Sequence, residues 1–125
     1  MDDTLRHAHK VPKISVSGTA ETSFLKQADL DIVETLGREI AEQGAICVTG
    51  ATTGEPLWAA KGAKKAGGIS IGISPAMNER DHVENWKLPL DFMDLVLYVG
   101  GGYPPRDIIL IRASDAVAIV ACRIG

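Results

Sequence analysis

The chain has 125 residues, 46% of them hydrophobic, and a formal charge of -3 from 13 basic and 16 acidic side chains. That length predicts one domain with a real core, and the apolar content excludes a disordered chain. No run approaches about 18 apolar residues, so no membrane span is expected, and the lack of a basic block argues against nucleic acid as a partner.

Residues 1–10 are polar and read as a flexible tail, with His7 and His9 idle, leaving 11–125 as a single α/β domain. Lys13–Val16 is the first predicted strand, and Ser17–Ser23 is a loop of small residues. From about Leu25 to Gln43, Leu30, Ile32, Val33, Leu36, Ile40 and Ala41 recur at helical spacing, and Gly44 ends the helix. Ala45–Val48 is a second strand, followed by the loop Thr49–Gly54. Pro56 suits the first turn of a helix that runs to Ala66 and stops at Gly67-Gly68. Ile69–Ile73 is a third strand. Ala76–Leu90 reads as a polar loop, with a short turn of helix as the alternative, and Leu95–Val99 is a fourth strand. Gly100–Gly102 and Tyr103-Pro104-Pro105 lead into a helix from Arg106 to Ala113, and Ala116–Val120 is the last strand.

Short apolar strands alternating with helices predict a Rossmann-like parallel sheet of about five strands, with helices on both faces. The two cysteines, Cys47 and Cys122, lie in or beside apolar runs and read as buried free thiols, which fits a cytoplasmic setting. They make neither a metal site nor a disulfide framework, and no cofactor is implied.

In open parallel sheets ligands collect beyond the carboxyl ends of the strands. Here those ends carry Ser17, Gly18 and Thr19, then Gly50, Thr53 and Gly54, then Gly101 and Gly102. Small residues let backbone N–H groups approach a ligand, and the helix starts after Gly54 and Gly102 are expected to add unpaired donors. Together they predict a cleft suited to a phosphate. Gly50-xxx-Gly54 lacks the lysine of a P-loop, and no GxGxxG opens the first helix. Arg106 is the most informative side chain, because a cation at a helix start opposes the dipole unless an anion meets it; the competing reading is a solvent-exposed arginine or a pair with Asp107. Asp115 reads as structural, capping a backbone turn or meeting Arg106 or Arg112. Asn78, Glu79, Asp81 and His82 read as the solvated face of a loop, and Trp58 and Trp86 as packing residues.

Three stretches resemble the lysine-decarboxylase-like, or LOG-like, Rossmann family, in its DprA/Smf-related branch. They are Val16-Ser17-Gly18-Thr19-Ala20, the VTGATTGEPLWAAKGAKKAGGISIGISP segment, and PPRDIILIRASDAVAIV. The resemblance spans Lys13–Gly125. It implies phosphate-holding glycine loops, a conserved arginine at Arg106 and phosphoribohydrolase activity on nucleoside 5'-monophosphates. The family's PGGxGTxxE motif is altered here. Ala121 stands for its proline, Cys122 and Arg123 for two glycines, and no threonine or glutamate follows. Without that glutamate, Glu55, Glu79 or Asp81 would have to supply a catalytic carboxylate.

The expected function is therefore binding of a nucleotide or sugar phosphate at the strand ends, with catalysis doubtful. The alternatives are the phosphoribohydrolase reaction itself, or an oligomeric structural remnant without a ligand. A homodimer or higher homo-oligomer is expected, since no helix after the last strand covers that side of the sheet.

Overall fold

The computed structural model describes residues 10–120. The expected tail before Lys10 and the altered motif at 121–125 lie outside the described residues. Five strands, β1 (Lys13–Ser17), β2 (Ile46–Thr49), β3 (Ser70–Ser74), β4 (Leu95–Tyr98) and β5 (Ala116–Ile119), form one sheet in the order β4-β3-β2-β1-β5. Every neighbouring pair is parallel. The helices are α1 (Gln27–Glu42), α2 (Glu55–Lys65) and α3 (Tyr103–Ala113). Successive connections run to one side of β1 until β5 returns to the other, so the chain reverses direction between β1 and β5, where such sheets open a crevice.

Helices α1 and α2 cover one face. Val16, Val33, Ile40, Cys47, Ala59 and Ala63 are buried there. The two helices approach closely because each presents a glycine to the other's backbone. A Cβ on Gly37 would strike the Ala59 carbonyl, and one on Gly62 the Glu34 carbonyl. Asp29 supports the start of α1, where its carboxylate accepts the Lys26 backbone N–H at 2.9 Å. Gly44, with φ of +79°, turns the chain out of α1 in a left-handed conformation that glycine adopts without strain.

Helix α3 alone packs on the opposite face, where Val48, Ile73 and Leu110 are buried among Ile46, Ile71 and Val99. Leu95 and Leu97 pair with Ile71 and Ile73 and so point to this same face, yet both remain about half exposed.

Two aspartates fix strand starts in the same way. The Asp94 N–H donates to the Ser70 carbonyl and its carboxylate accepts the Ser70 N–H, both at 2.8 Å. Asp115 repeats this exchange with Lys13, again with both bonds at 2.8 Å. Asp115 pairs with Lys10 and Lys13 instead of the anticipated Arg106 or Arg112.

Two predicted segments differ. Helix α3 begins at Tyr103, so Arg106 stands one turn inside it. Pro104 and Pro105 occupy the first turn, where a missing N–H costs no hydrogen bond. The loop does hold the short helical turn given as its alternative, at Asp81–Asn85, but as a π-helical one. His82 is fully buried within it and is not part of a solvated face. Its Nε2–H donates to the Pro89 carbonyl at 2.8 Å, which leaves Nδ1 to accept the Ser74 hydroxyl at 2.7 Å. Among the described residues no helix is long and apolar enough to cross a membrane.

Candidate phosphate-binding cleft

The carboxyl ends of β1 and β2 meet α3 around a cavity of about 60 Å³, lined by Val16, Ser17, Gly18, Gly50, Thr52, Pro56, Arg106, Asp107 and Leu110. That is room for about five waters, the size of one phosphate group and too small for a whole nucleoside. Arg106 is only 9% exposed. Its Nη1 donates to the Gly50 carbonyl, its Nε donates to Asp107 Oδ1 at 2.7 Å, and its guanidinium lies 5.0 Å from the centre of the Tyr103 ring. Tyr103 in turn meets Trp86 edge-on at 5.1 Å, and the Trp86 indole N–H donates to Asp81 at 3.2 Å. A chain of side-chain contacts thus runs from the π-helical turn to the arginine.

Of the predicted site residues, Ser17, Gly18, Gly50 and Arg106 come together in this cavity. Thr19, Thr53, Gly54, Gly101 and Gly102 do not line it. Gly54 is needed elsewhere. Its φ is +80°, and a Cβ there would strike Thr19 and Ala20, which cover the start of α2. Thr19 is spent on the same junction. Its N–H donates to Glu55 Oε1 at 3.0 Å, and its carbonyl accepts the Glu55 N–H at 3.0 Å. Thr53 Oγ1 reaches the Ala20 carbonyl at 3.4 Å. Gly102 donates to the Pro75 carbonyl at 3.3 Å, closing the glycine run onto the end of β3.

The expectation that both helix starts offer unpaired donors is corrected. At α2, Glu55 N–H is occupied, Pro56 has none, and Trp58 N–H returns to Gly54. At α3, Pro104 and Pro105 have none, and Arg106 N–H returns to Gly102. Among the described residues each start keeps only one N–H without a partner, from Leu57 and Tyr103. Donors for an anion lie instead in the β2–α2 loop. Ala51 takes a φ of +56°, and the Thr52 and Thr53 N–H groups after it have no hydrogen-bond partner among the described residues. Successive N–H groups after such a left-handed residue form a concavity suited to an anion. Thr52 and Asp107 were missed as cleft residues. Asp107 had a signal in its place next to Arg106; Thr52 differs from Thr53 only by which way the loop turns.

The candidate catalytic carboxylates do not reach the cleft. Glu55 is 2% exposed and committed to Thr19. Asp81 accepts from the Met77 N–H, Asn85 and Trp86, which together hold its carboxyl below the usual range. Larger hollows lie elsewhere. One of about 480 Å³ is the groove between α1 and α2, whose charges are turned to solvent and which includes the Lys65–Glu34 pair. Among the described residues no group of three His, Cys, Asp or Glu side chains is placed to hold a metal.

A parallel sheet reversing beside β1, with small residues and a buried arginine at the strand ends, defines a Rossmann-like α/β protein of the class that uses this crevice for phosphates and cofactors. The chain belongs to the SLOG cluster4 family, whose description matches residues 11–125. It is similar to the molybdenum cofactor binding protein of Rippkaea orientalis, at 33% identity and a TM-score of 0.77 over 94% of this chain and 65% of that one. The molybdenum cofactor carrier protein of Chlamydomonas reinhardtii is 31% identical, with a TM-score of 0.74 over 93% of this chain and 65% of that one. This chain therefore spans about two-thirds of the length of these relatives. The LOG-like resemblance holds at the level of this wider fold and not for LOG in particular.

The expectation against nucleic acid is corrected. DNA processing protein A from Helicobacter pylori, described with a single-stranded DNA binding mode, has the same fold at 21% identity and a TM-score of 0.63, over 91% of this chain and 55% of that one. The same fold thus occurs in a protein described as binding single-stranded DNA, so the fold does not argue against that partner.

Proposed function

We propose that this protein binds a phosphate-bearing small molecule, a nucleotide or sugar phosphate, with the phosphate in the cleft between Ser17, Gly50, Thr52 and Arg106. The observation that carries this reading is the buried Arg106 guanidinium in one cavity with Thr52, whose N–H has no partner among the described residues. A buried arginine is costly unless charge and hydrogen bonds meet it, and a phosphate accepts from both kinds of donor at once. Binding is favoured over hydrolysis, because Asp107 is the only carboxylate lining the cleft among the described residues. The molybdenum cofactor is the second reading, favoured by the identity to the two proteins described as binding or carrying it.

Titration calorimetry with inorganic phosphate, ribose 5-phosphate, AMP and the molybdenum cofactor tests both readings. Saturable binding of the phosphate compounds is expected, weakened at least tenfold by Arg106→Gln, with no free base released from AMP. Absence of binding, or binding indifferent to Arg106→Gln, overturns the first reading. Selective binding of the molybdenum cofactor establishes the second.

A further inference from the structure

We propose that Asp107 is a built-in competitor for the anion and sets the affinity of the cleft. The inference rests on the phosphate-binding reading above. Asp107 Oδ1 holds Arg106 Nε at 2.7 Å, on the guanidinium edge whose parallel N–H groups give an arginine its two-pronged grip on a phosphate. The other visible donor of Arg106, Nη1, is turned to the Gly50 carbonyl. An incoming phosphate that takes this edge therefore exchanges with a carboxylate at Nε, while Nη2 has no hydrogen-bond partner among the described residues.

The two partners differ in how firmly they are held. The Arg106 side chain is 10% exposed, that of Asp107 63%. Asp107 has no partner besides Arg106 among the described residues. Its carboxylate can turn to water while the arginine stays fixed by Gly50 and Tyr103, and the incoming phosphate replaces the charge that the half-buried pair loses. Glu55, beside the carboxyl end of β1, is tied to the Thr19 N–H and is not free to exchange.

A second consequence concerns charge. A displaced Asp107 still lies at the rim, where it repels a phosphate dianion and disfavours the most highly charged ligands. The residue thus acts as an affinity and charge filter on the site.

The test is calorimetry with inorganic phosphate on wild type, Asp107→Asn and Asp107→Ala, each also in an Arg106→Gln background. Asp107→Asn keeps the shape and an acceptor oxygen but removes the charge. It is expected to tighten phosphate binding about tenfold, and Asp107→Ala likewise, with the gain abolished when Arg106 is also changed. Melting temperatures control for folding, and a residue with only a structural role would move those and not raise affinity. Unchanged or weaker binding in both variants, in a wild type that binds through Arg106, overturns the role of Asp107 and leaves the cleft reading standing. No phosphate binding by the wild type or either single variant overturns both.

Discussion

Gly50 shows how a residue's role depends on a partner far along the chain. The glycine was visible in the Gly50-xxx-Gly54 loop, but its cause was not. A Cβ at Gly50 would strike the Arg106 guanidinium, 56 residues away in sequence. Gly50→Ala is therefore expected to push Arg106 out of the cleft and weaken phosphate binding about tenfold, at a stability cost of about 1–3 kcal/mol for the overpacked contact. Calorimetry and thermal melting on the same variant separate the two effects, and unchanged affinity would show that Arg106 does not need this space. Arg106 itself was legible, though for an incomplete reason. It stands one turn inside α3, where the dipole penalty is reduced, and the pair with Asp107, the competing reading, is formed, so a phosphate would have to share or take over the guanidinium edge that Asp107 holds. Glu55 was legible as a carboxylate near the site, but its bond to Thr19 depends on a loop-to-helix contact that no local pattern encodes.

Elements were easier to read than their contacts. All five strands and three helices were predicted within a few residues, because strand runs and helical periodicity are local signals. The helical stripe was less accurate. Leu30, Val33 and Ile40 are buried, but Ile32, counted with them, is 67% exposed. The stripe is narrowed because Gly37 and Gly62, not bulky side chains, make the α1–α2 contact. Close backbone approach leaves no hydrophobic signature in sequence. Gly37→Ala places a methyl against the Ala59 carbonyl, which cannot yield as a flexible side chain would. The expected outcome is a loss of about 1–3 kcal/mol in a denaturant melt, despite the better helix propensity of alanine. A stabilised variant would show that the helices separate freely. The π-helical turn was legible only as an alternative helical turn somewhere in Ala76–Leu90, for the opposite reason. It is short and polar, and it is anchored by buried His82 and by Asp81 acting on three donors, none of which repeats with a period.

At the scale of the whole molecule, the ionisable groups that folding perturbs lie at the two ends of the pH range. Asp94 is held below the usual carboxylate range by Lys64 and by the Ser70 N–H, and Asp115 by the Lys13 N–H and then the Lys13 and Lys10 charges. Asp81 is lowered in the same sense by Met77 N–H and Asn85. In each case the native state holds the proton more weakly than the unfolded chain. Their contribution is therefore present above the ordinary aspartate value near 4 and is lost as pH falls through the lowered values. At the other end, burial pushes the Cys47 thiol up to about 12. Here the native state holds the proton more tightly, so the stability is full below the ordinary thiol value of about 8.5 and is lost as pH rises toward 12. A plateau of melting temperature between about pH 4 and pH 9 follows, with a fall on either side. The two limbs separate by substitution. Asp94→Asn and Asp115→Asn together should reduce the acid limb to the share of Asp81, because both act on strand starts of one sheet, and leave the alkaline limb in place. Cys47→Ala should reduce the alkaline limb, leaving the share of the Tyr98 hydroxyl that burial also raises, while lowering the plateau through the lost packing. An acid limb unchanged in the double aspartate variant would mean that the carboxylate-to-strand bonds do not hold the sheet in solution.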